Sequence, residues 1–196
     1  MPVNERSQAA WARRPGIRIG AVVAVAVAVA FVVWLLVRND DSNSSSSSQS
    51  QTVEAIAPVA ASPERLRDLS SEVGRPIYWV GPRAEDTYEL TRTSQDRIYV
   101  RYLPSGVPVG TKEASYTIVG TYPVAHAYGV LKSLAKKSGE VSFTAPHGGV
   151  AVYGTSRPTN VYLAYPGSDV QIEVFDPSAE RARSLITSGQ VTPVTS

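Results

Sequence analysis

The sequence predicts an α+β fold, an antiparallel sheet of about eight short strands with two or three helices, preceded by one transmembrane helix. Three observations predict it. Residues 19–37 run for 19 positions without a charge between Arg18 and Arg38. Beyond residue 62, alternating Tyr- and Val-rich runs are bounded by turn residues, the pattern of short half-buried strands. Among them lie three stretches of helical periodicity with a proline near the start and a glycine just past the end.

The apolar run comes first. At 1.5 Å per residue it reaches about 28 Å as a helix, close to the hydrocarbon thickness of a bilayer. Arg6, Arg13, Arg14 and Arg18 against Glu5 give the preceding segment a charge of +3. Positive charge stays on the cytoplasmic side, so residues 1–18 are expected in the cytoplasm and the bulk of the chain outside the cell membrane. Trp34 sits near the outer edge of the span and Trp11 on its cytoplasmic flank. A cleaved signal peptide is the rival reading, with Ala28 to Ala30 as a small-x-small site. Cleavage there would leave an apolar mature N-terminus, and the run exceeds the usual signal core, so an uncleaved signal anchor is expected.

Residues 38–62 carry a serine run and a net charge of −2. They hold too few large apolar side chains to offset the entropy of ordering, which predicts a Ser-rich disordered linker. From residue 39 its root-mean-square span is about 27 Å and its taut reach about 80 Å. The exported domain, 63–196, has 14 basic and 13 acidic residues and is nearly neutral. Nucleic acid is therefore not an expected partner. The absence of cysteine excludes disulfide scaffolds, thiol catalysis, thiolate metal sites and a lipoprotein anchor.

Within the domain, Ser62 is placed to cap a helix with Pro63 at its first position, Glu64 near its positive end, and Leu66, Leu69 and Val73 on one face before Gly74. A second helix is expected after Pro123, carrying Leu131 and Leu134 and ending at Gly139. The third takes Asp176 as its N-cap and Pro177 next, holds Leu185 and Ile186, and stops at Gly189. Strands are predicted over 77–80, 87–91, 97–103, 116–121, 141–144, 150–154, 161–165 and 170–175, with a last one near 191–194.

These elements repeat. Leu66, Leu69, Gly74 and Tyr78 match Leu131, Leu134, Gly139 and Phe143 at a constant offset of 65. Thr93-Ser94 precedes Tyr99, Tyr102 and Pro104, as Thr155-Ser156 precedes Tyr162, Tyr165 and Pro166. The pattern suggests a tandem duplication, giving a pseudo-twofold sheet covered by helices on one face.

Strand parity assigns the faces. Ile98, Val100 and Tyr102, with Val170, Ile172 and Val174, read as core; Tyr99, Arg101 and Leu103, with Gln171, Glu173 and Phe175, read as a mixed aromatic and charged surface. Arg101 and Glu173 are a candidate cross-strand pair. All ten tyrosines lie in the exported domain. Tyr and Trp join an apolar body to a polar tip, which suits protein partners and sugar faces, so Trp79, Tyr99, Arg101, Tyr162 and Glu173 are the candidate partner-binding residues. Each tyrosine is also explained by β propensity, and Trp79 by a role as core anchor.

No catalytic residues and no metal ligands are assigned. His126 and His147 stand apart without acidic neighbours, and no nucleophile elbow or phosphate loop is present. Of the scattered acids, Glu89 and Glu173 are the least easily dismissed as a carboxylate pair. No cofactor is implied.

The segment Ile77-Tyr78-Trp79-Val80-Gly81-Pro82, with Val100 to Pro104 and Val161 to Tyr165, resembles a group of uncharacterised bacterial single-pass membrane-anchored proteins with an exported domain. The resemblance implies no activity. The sequence reads as a membrane-anchored extracytoplasmic domain for binding an envelope protein or glycan. The alternatives are an envelope hydrolase acting on cell-wall material, with scattered carboxylates or His147, and an assembly subunit whose Ala-rich span pairs with a partner helix.

Overall fold

The first helix forms where its caps require. Ser62 is extended, its Oγ accepts from the Arg65 amide at 3.2 Å, and Pro63 opens α1 (Pro63–Glu72). Gly74 follows with φ +64, a conformation that costs glycine nothing. The structure, a computed structural model, describes residues 56–195. The expected cytoplasmic segment, the membrane span at 19–37 and linker residues 38–55 lie outside the described residues. Among the described residues no helix is long and apolar enough to cross a membrane.

The strands are β1 (Val59–Ala61), β2 (Tyr78–Trp79), β3 (Thr87–Arg92), β4 (Ile98–Leu103), β5 (Ile118–Pro123), β6 (Glu140–Thr144), β7 (Val150–Gly154), β8 (Asn160–Ala164), β9 (Val170–Phe175) and β10 (Thr192–Pro193). The other helices are α2 (Ala127–Leu134) and α3 (Ala179–Thr187). Eight strands form one antiparallel sheet in the order β1-β3-β4-β5-β9-β8-β7-β6, as the α+β reading expects.

The membership of that sheet differs from expectation at one edge. Residues 59–61, assigned to the linker, pair with β3 as β1, with Ala60 opposite Glu89. β2 leaves the main sheet and pairs with β10. Its exit is held by core side chains: Tyr102 Oη accepts from the Val80 amide at 2.9 Å and donates to the Gly81 carbonyl at 3.1 Å. Thr121 Oγ1 accepts from the Tyr78 amide at 3.0 Å. Side chains thus satisfy the backbone groups that a sheet neighbour would otherwise have taken.

One face of the sheet carries Leu90, Ile98, Val100, Tyr102, Val119, Val161, Leu163, Ile172 and Val174, packed with Leu66 and Leu69 of α1 and Ala182, Leu185 and Ile186 of α3. Each fully buried leucine here contributes roughly 1.5–3 kcal/mol relative to exposure. The helices do not share one face. Ala127, Leu131 and Leu134 of α2 are buried outside this cluster, as are Val152, Tyr162 and Ala164 on the second face, and α2 packs on β7, β8 and β9.

Two further boundaries shift. The second helix begins four residues past Pro123, because β5 continues through Tyr122 and Pro123 opposite Gln171 and Val170. The third is capped by Ser178, whose Oγ accepts from the Arg181 amide at 3.2 Å. Asp176 instead receives the Thr117 hydroxyl at 2.8 Å and the Ser178 amide at 2.9 Å.

Candidate functional site: the second face of the sheet

The ladder registers line up the second face in rows. Tyr99 faces Gly120 on β5, Gly120 faces Glu173 on β9, and Glu173 faces Tyr162 on β8. In the next row, Glu89 on β3 faces Arg101, which faces Ile118. Three of the five candidate residues, Tyr99, Glu173 and Tyr162, therefore meet across the sheet centre. Arg101 lies one row away, and Trp79 is elsewhere. Trp79 sits in the core cluster, edge-on to Tyr88 with centroids 5.9 Å apart, which is the core-anchor role.

The expected pairing of Arg101 with Glu173 does not occur. β5 separates their strands, and Arg101 Nη2 is 2.7 Å from Oε1 of Glu89, its direct cross-strand neighbour. That pair, with Glu89 buried and Arg101 half-buried, organises the chain above it. The same guanidinium donates to the carbonyls of Thr111 (2.9 Å) and Glu113 (3.2 Å), and the Gly110 amide donates to Glu89 Oε2 at 2.6 Å. The β4–β5 connection is thereby held over this half of the face, where charge-assisted bonds are stronger than neutral ones.

Glu173 is handled differently. It is 4% exposed, and neutral groups solvate it: the Tyr122 hydroxyl donates to Oε2 and Asn160 Nδ2 donates to Oε1 at 2.6 Å. Gly120 makes room for this. A Cβ at Gly120 would stand 2.5 Å from Tyr122 Oη, so the ring lies over the space a side chain would fill. Arg97, buried just before β4, holds its guanidinium 5.7 Å from that ring centroid. The Tyr99 ring meets Tyr122 edge-on at 5.5 Å.

Burial first, and the neighbouring Glu173 charge second, push the Tyr122 and Tyr162 hydroxyls well above the ordinary phenol range. Burial also raises Tyr99. These phenols are thereby kept protonated, and the Tyr122 hydroxyl donates to the carboxylate.

The expectation of an aromatic and charged surface is thus corrected: Glu89, Leu103, Tyr122, Tyr162, Gln171 and Glu173 are buried, while Tyr99 and Arg101 are half-buried. The polar groups of this face are spent largely on one another. Glu89 and Glu173 stand in different rows on strands whose backbones are three spacings, about 14 Å, apart, and each carboxylate is held by its own donors rather than facing the other across a cleft. His126 and His147 are exposed and both take left-handed backbone conformations, φ 54 and φ 57, at separate turns. Among the described residues no three His, Asp or Glu side chains group to hold a metal ion.

The sequence reading missed Tyr122, Gly120, Asn160 and Arg97. A signal for the first two was present: a glycine inside a strand pattern with an aromatic two positions on, where the ring can fill the glycine's space. Asn160 and Arg97 are joined to the cluster by tertiary contacts alone, the hydrogen bond to Glu173 and the approach to the Tyr122 ring. Compared with known proteins, the chain matches no family model, no curated protein and no solved structure.

Proposed function

We propose that this chain is a single-pass protein of the cell membrane, with its N-terminus in the cytoplasm and its α+β domain outside, acting as an interaction module in the envelope. The observation that carries the reading is the uncharged 19–37 run with +3 on its N-terminal flank. The resemblance of residues 77–82 to membrane-anchored bacterial proteins agrees with it. A binding role is favoured over hydrolysis because the two candidate carboxylates stand in different rows on separated strands and each is engaged by its own donors.

We also infer a tandem duplication. In its support, the order read outward from the central β5–β9 pair is β4, β3 on one side and β8, β7 on the other, the strands that the repeat matches. Tyr99 and Tyr162, matched by the repeat, flank that pair in one row. Two elements depart from the symmetry: α2 lies on the second face, and β2, matched to β6 through Tyr78 and Phe143, leaves its edge of the sheet to β1.

Topology is tested with single cysteines, since the chain has none. On intact cells an impermeant maleimide is expected to label Ser45→Cys and to spare Ser7→Cys until the membrane is opened. Labelling of Ser7→Cys on intact cells, or recovery of the domain free of the membrane, overturns the proposal.

A further inference from the structure

The eight-stranded sheet ends in two open edges, and the described large apolar side chains that stand exposed gather there: Ile56 and Val59 at β1, and Val141 at β6. The two edges are built differently. β1 has three residues, follows Pro58, and is flanked by the Ile56 amide, which already donates to the Arg92 carbonyl at 2.9 Å. β6 has five residues, Glu-Val-Ser-Phe-Thr, and none of the lysine or proline guards that commonly block an edge.

Its backbone direction follows from its ladder. The Thr155 amide donates to the Gly139 carbonyl and the Ala145 amide to the Gly149 carbonyl, both in the β6–β7 register. Odd-numbered residues of this strand therefore bond inward to β7. Glu140, Ser142 and Thr144 turn their N–H and C=O groups outward. The Glu140 amide has the Lys137 carbonyl at 3.3 Å as an acceptor, so Ser142 and Thr144 hold the outward donors still to be matched from beyond the edge.

We propose that two copies of the chain pair through β6, antiparallel and centred on Ser142, so that their sheets become one sheet across a twofold axis. The register is self-complementary. Ser142 exchanges N–H···O bonds with Ser142 of the second copy, and each Thr144 amide donates to the Glu140 carbonyl of the other. Val141 of one copy stands opposite Phe143 of the other on the core face, in the closely spaced type of pair, which covers the exposed valine and continues the apolar layer. Lys136 and Lys137 of the two copies fall at opposite ends of the joint, so like charges do not meet. A twofold joint also closes, whereas β6 against β1 would grow without limit.

The test uses the full chain in isolated membranes. Ser142→Cys places two thiols on a hydrogen-bonded pair with Cα atoms about 5.5 Å apart, within disulfide range. Thr144→Cys, on the same exposed strand and face, lies four positions from its symmetry mate, about 13 Å. Mild oxidation is expected to convert Ser142→Cys to a species of twice the monomer mass and to leave Thr144→Cys monomeric. Ser142→Pro removes an outward amide without touching the β6–β7 ladder; by light scattering in detergent it is expected to halve the particle mass while circular dichroism stays unchanged. Equal linking of both cysteines, linking of neither, a ladder of larger species, or an unchanged mass for Ser142→Pro overturns the proposal. It does not depend on the anchor: a soluble chain would give the same linking pattern in the soluble fraction.

Discussion

The two halves of the second sheet face each bury a glutamate, and they stabilise it by opposite means. Glu89 is matched by a cation, Arg101, and by the Gly110 amide, while the carbonyls of Thr111 and Glu113 accept from the Arg101 guanidinium. Glu173 is matched at close range by neutral dipoles from Tyr122 and Asn160. A buried ion pair is net-neutral, but each partner becomes a large liability if the other is lost. A carboxylate solvated by neutral donors holds its charge in place, and removing that charge breaks no direct ion pair. The halves should therefore respond differently to the same chemical change.

The largest expected effect is on the ionic half. Arg101→Ala leaves Glu89 buried without its cation and should cost about 3–5 kcal/mol of unfolding free energy. Glu89→Gln strands Arg101 in the same way, whereas Glu173→Gln should cost only about 1–2 kcal/mol because its neighbours stay hydrogen-bonded. Urea unfolding of the three variants by circular dichroism ranks them. Equal losses for Glu89→Gln and Glu173→Gln would erase the distinction. The joint replacement Arg101→Met with Glu89→Leu should recover most of the loss, since neither charge is then stranded.

The neutral half is broken more subtly, through Gly120. Gly120→Ala drives a methyl into the Tyr122 ring and parts its hydroxyl from Glu173. Overpacking and a lost bond to a charged group together should cost about 3 kcal/mol. In a Tyr122→Ala background the same substitution should cost little, because the obstacle is gone. A double-mutant cycle measures the coupling. An undiminished cost there would show that Gly120 is needed for some reason other than the tyrosine above it.

Legibility divides along similar lines. The α+β class and most strands followed from two-residue alternation, and α1 from Ser62, Pro63 and Gly74, because these signals are local. What failed was long-range. β1 lies in a short Ala- and Pro-containing stretch, Ile56 to Ala61, that shows no two-residue alternation of apolar and polar side chains, and it is a strand because β3 offers an edge. β2 reads as a sheet strand, yet Tyr102 and Thr121 draw it away. The parity of Tyr99, Arg101 and Glu173 was legible. Their burial was not, since it depends on α2 and the β4–β5 connection crossing that face. The choice of Glu89 over Glu173 as the partner of Arg101 was set by strand order, which periodicity does not carry.

The smallest effect sharpens the comparison without altering packing. A tyrosine whose folded pKa is raised keeps its proton where the unfolded chain, titrating near pH 10, loses it. Its contribution is fully present below about pH 10 and declines as pH rises toward the folded value. Tyr122 and Tyr162, raised by burial and then by Glu173, place this sensitivity in the neutral half. Burial raises Tyr78 and Tyr102 in the core as well, so the total slope is shared and the informative quantity is a difference. Tyr122→Phe should remove one proton from the linkage, flattening the fall of stability above pH 10 by up to about 1.4 kcal/mol per pH unit. The Arg101→Met, Glu89→Leu pair should leave that slope as it is. Denaturant unfolding repeated from pH 9 to pH 12 supplies both curves. An unaltered slope in Tyr122→Phe would mean that Tyr122 ionises as freely in the folded protein as outside it, and that its hydroxyl is not the donor to Glu173.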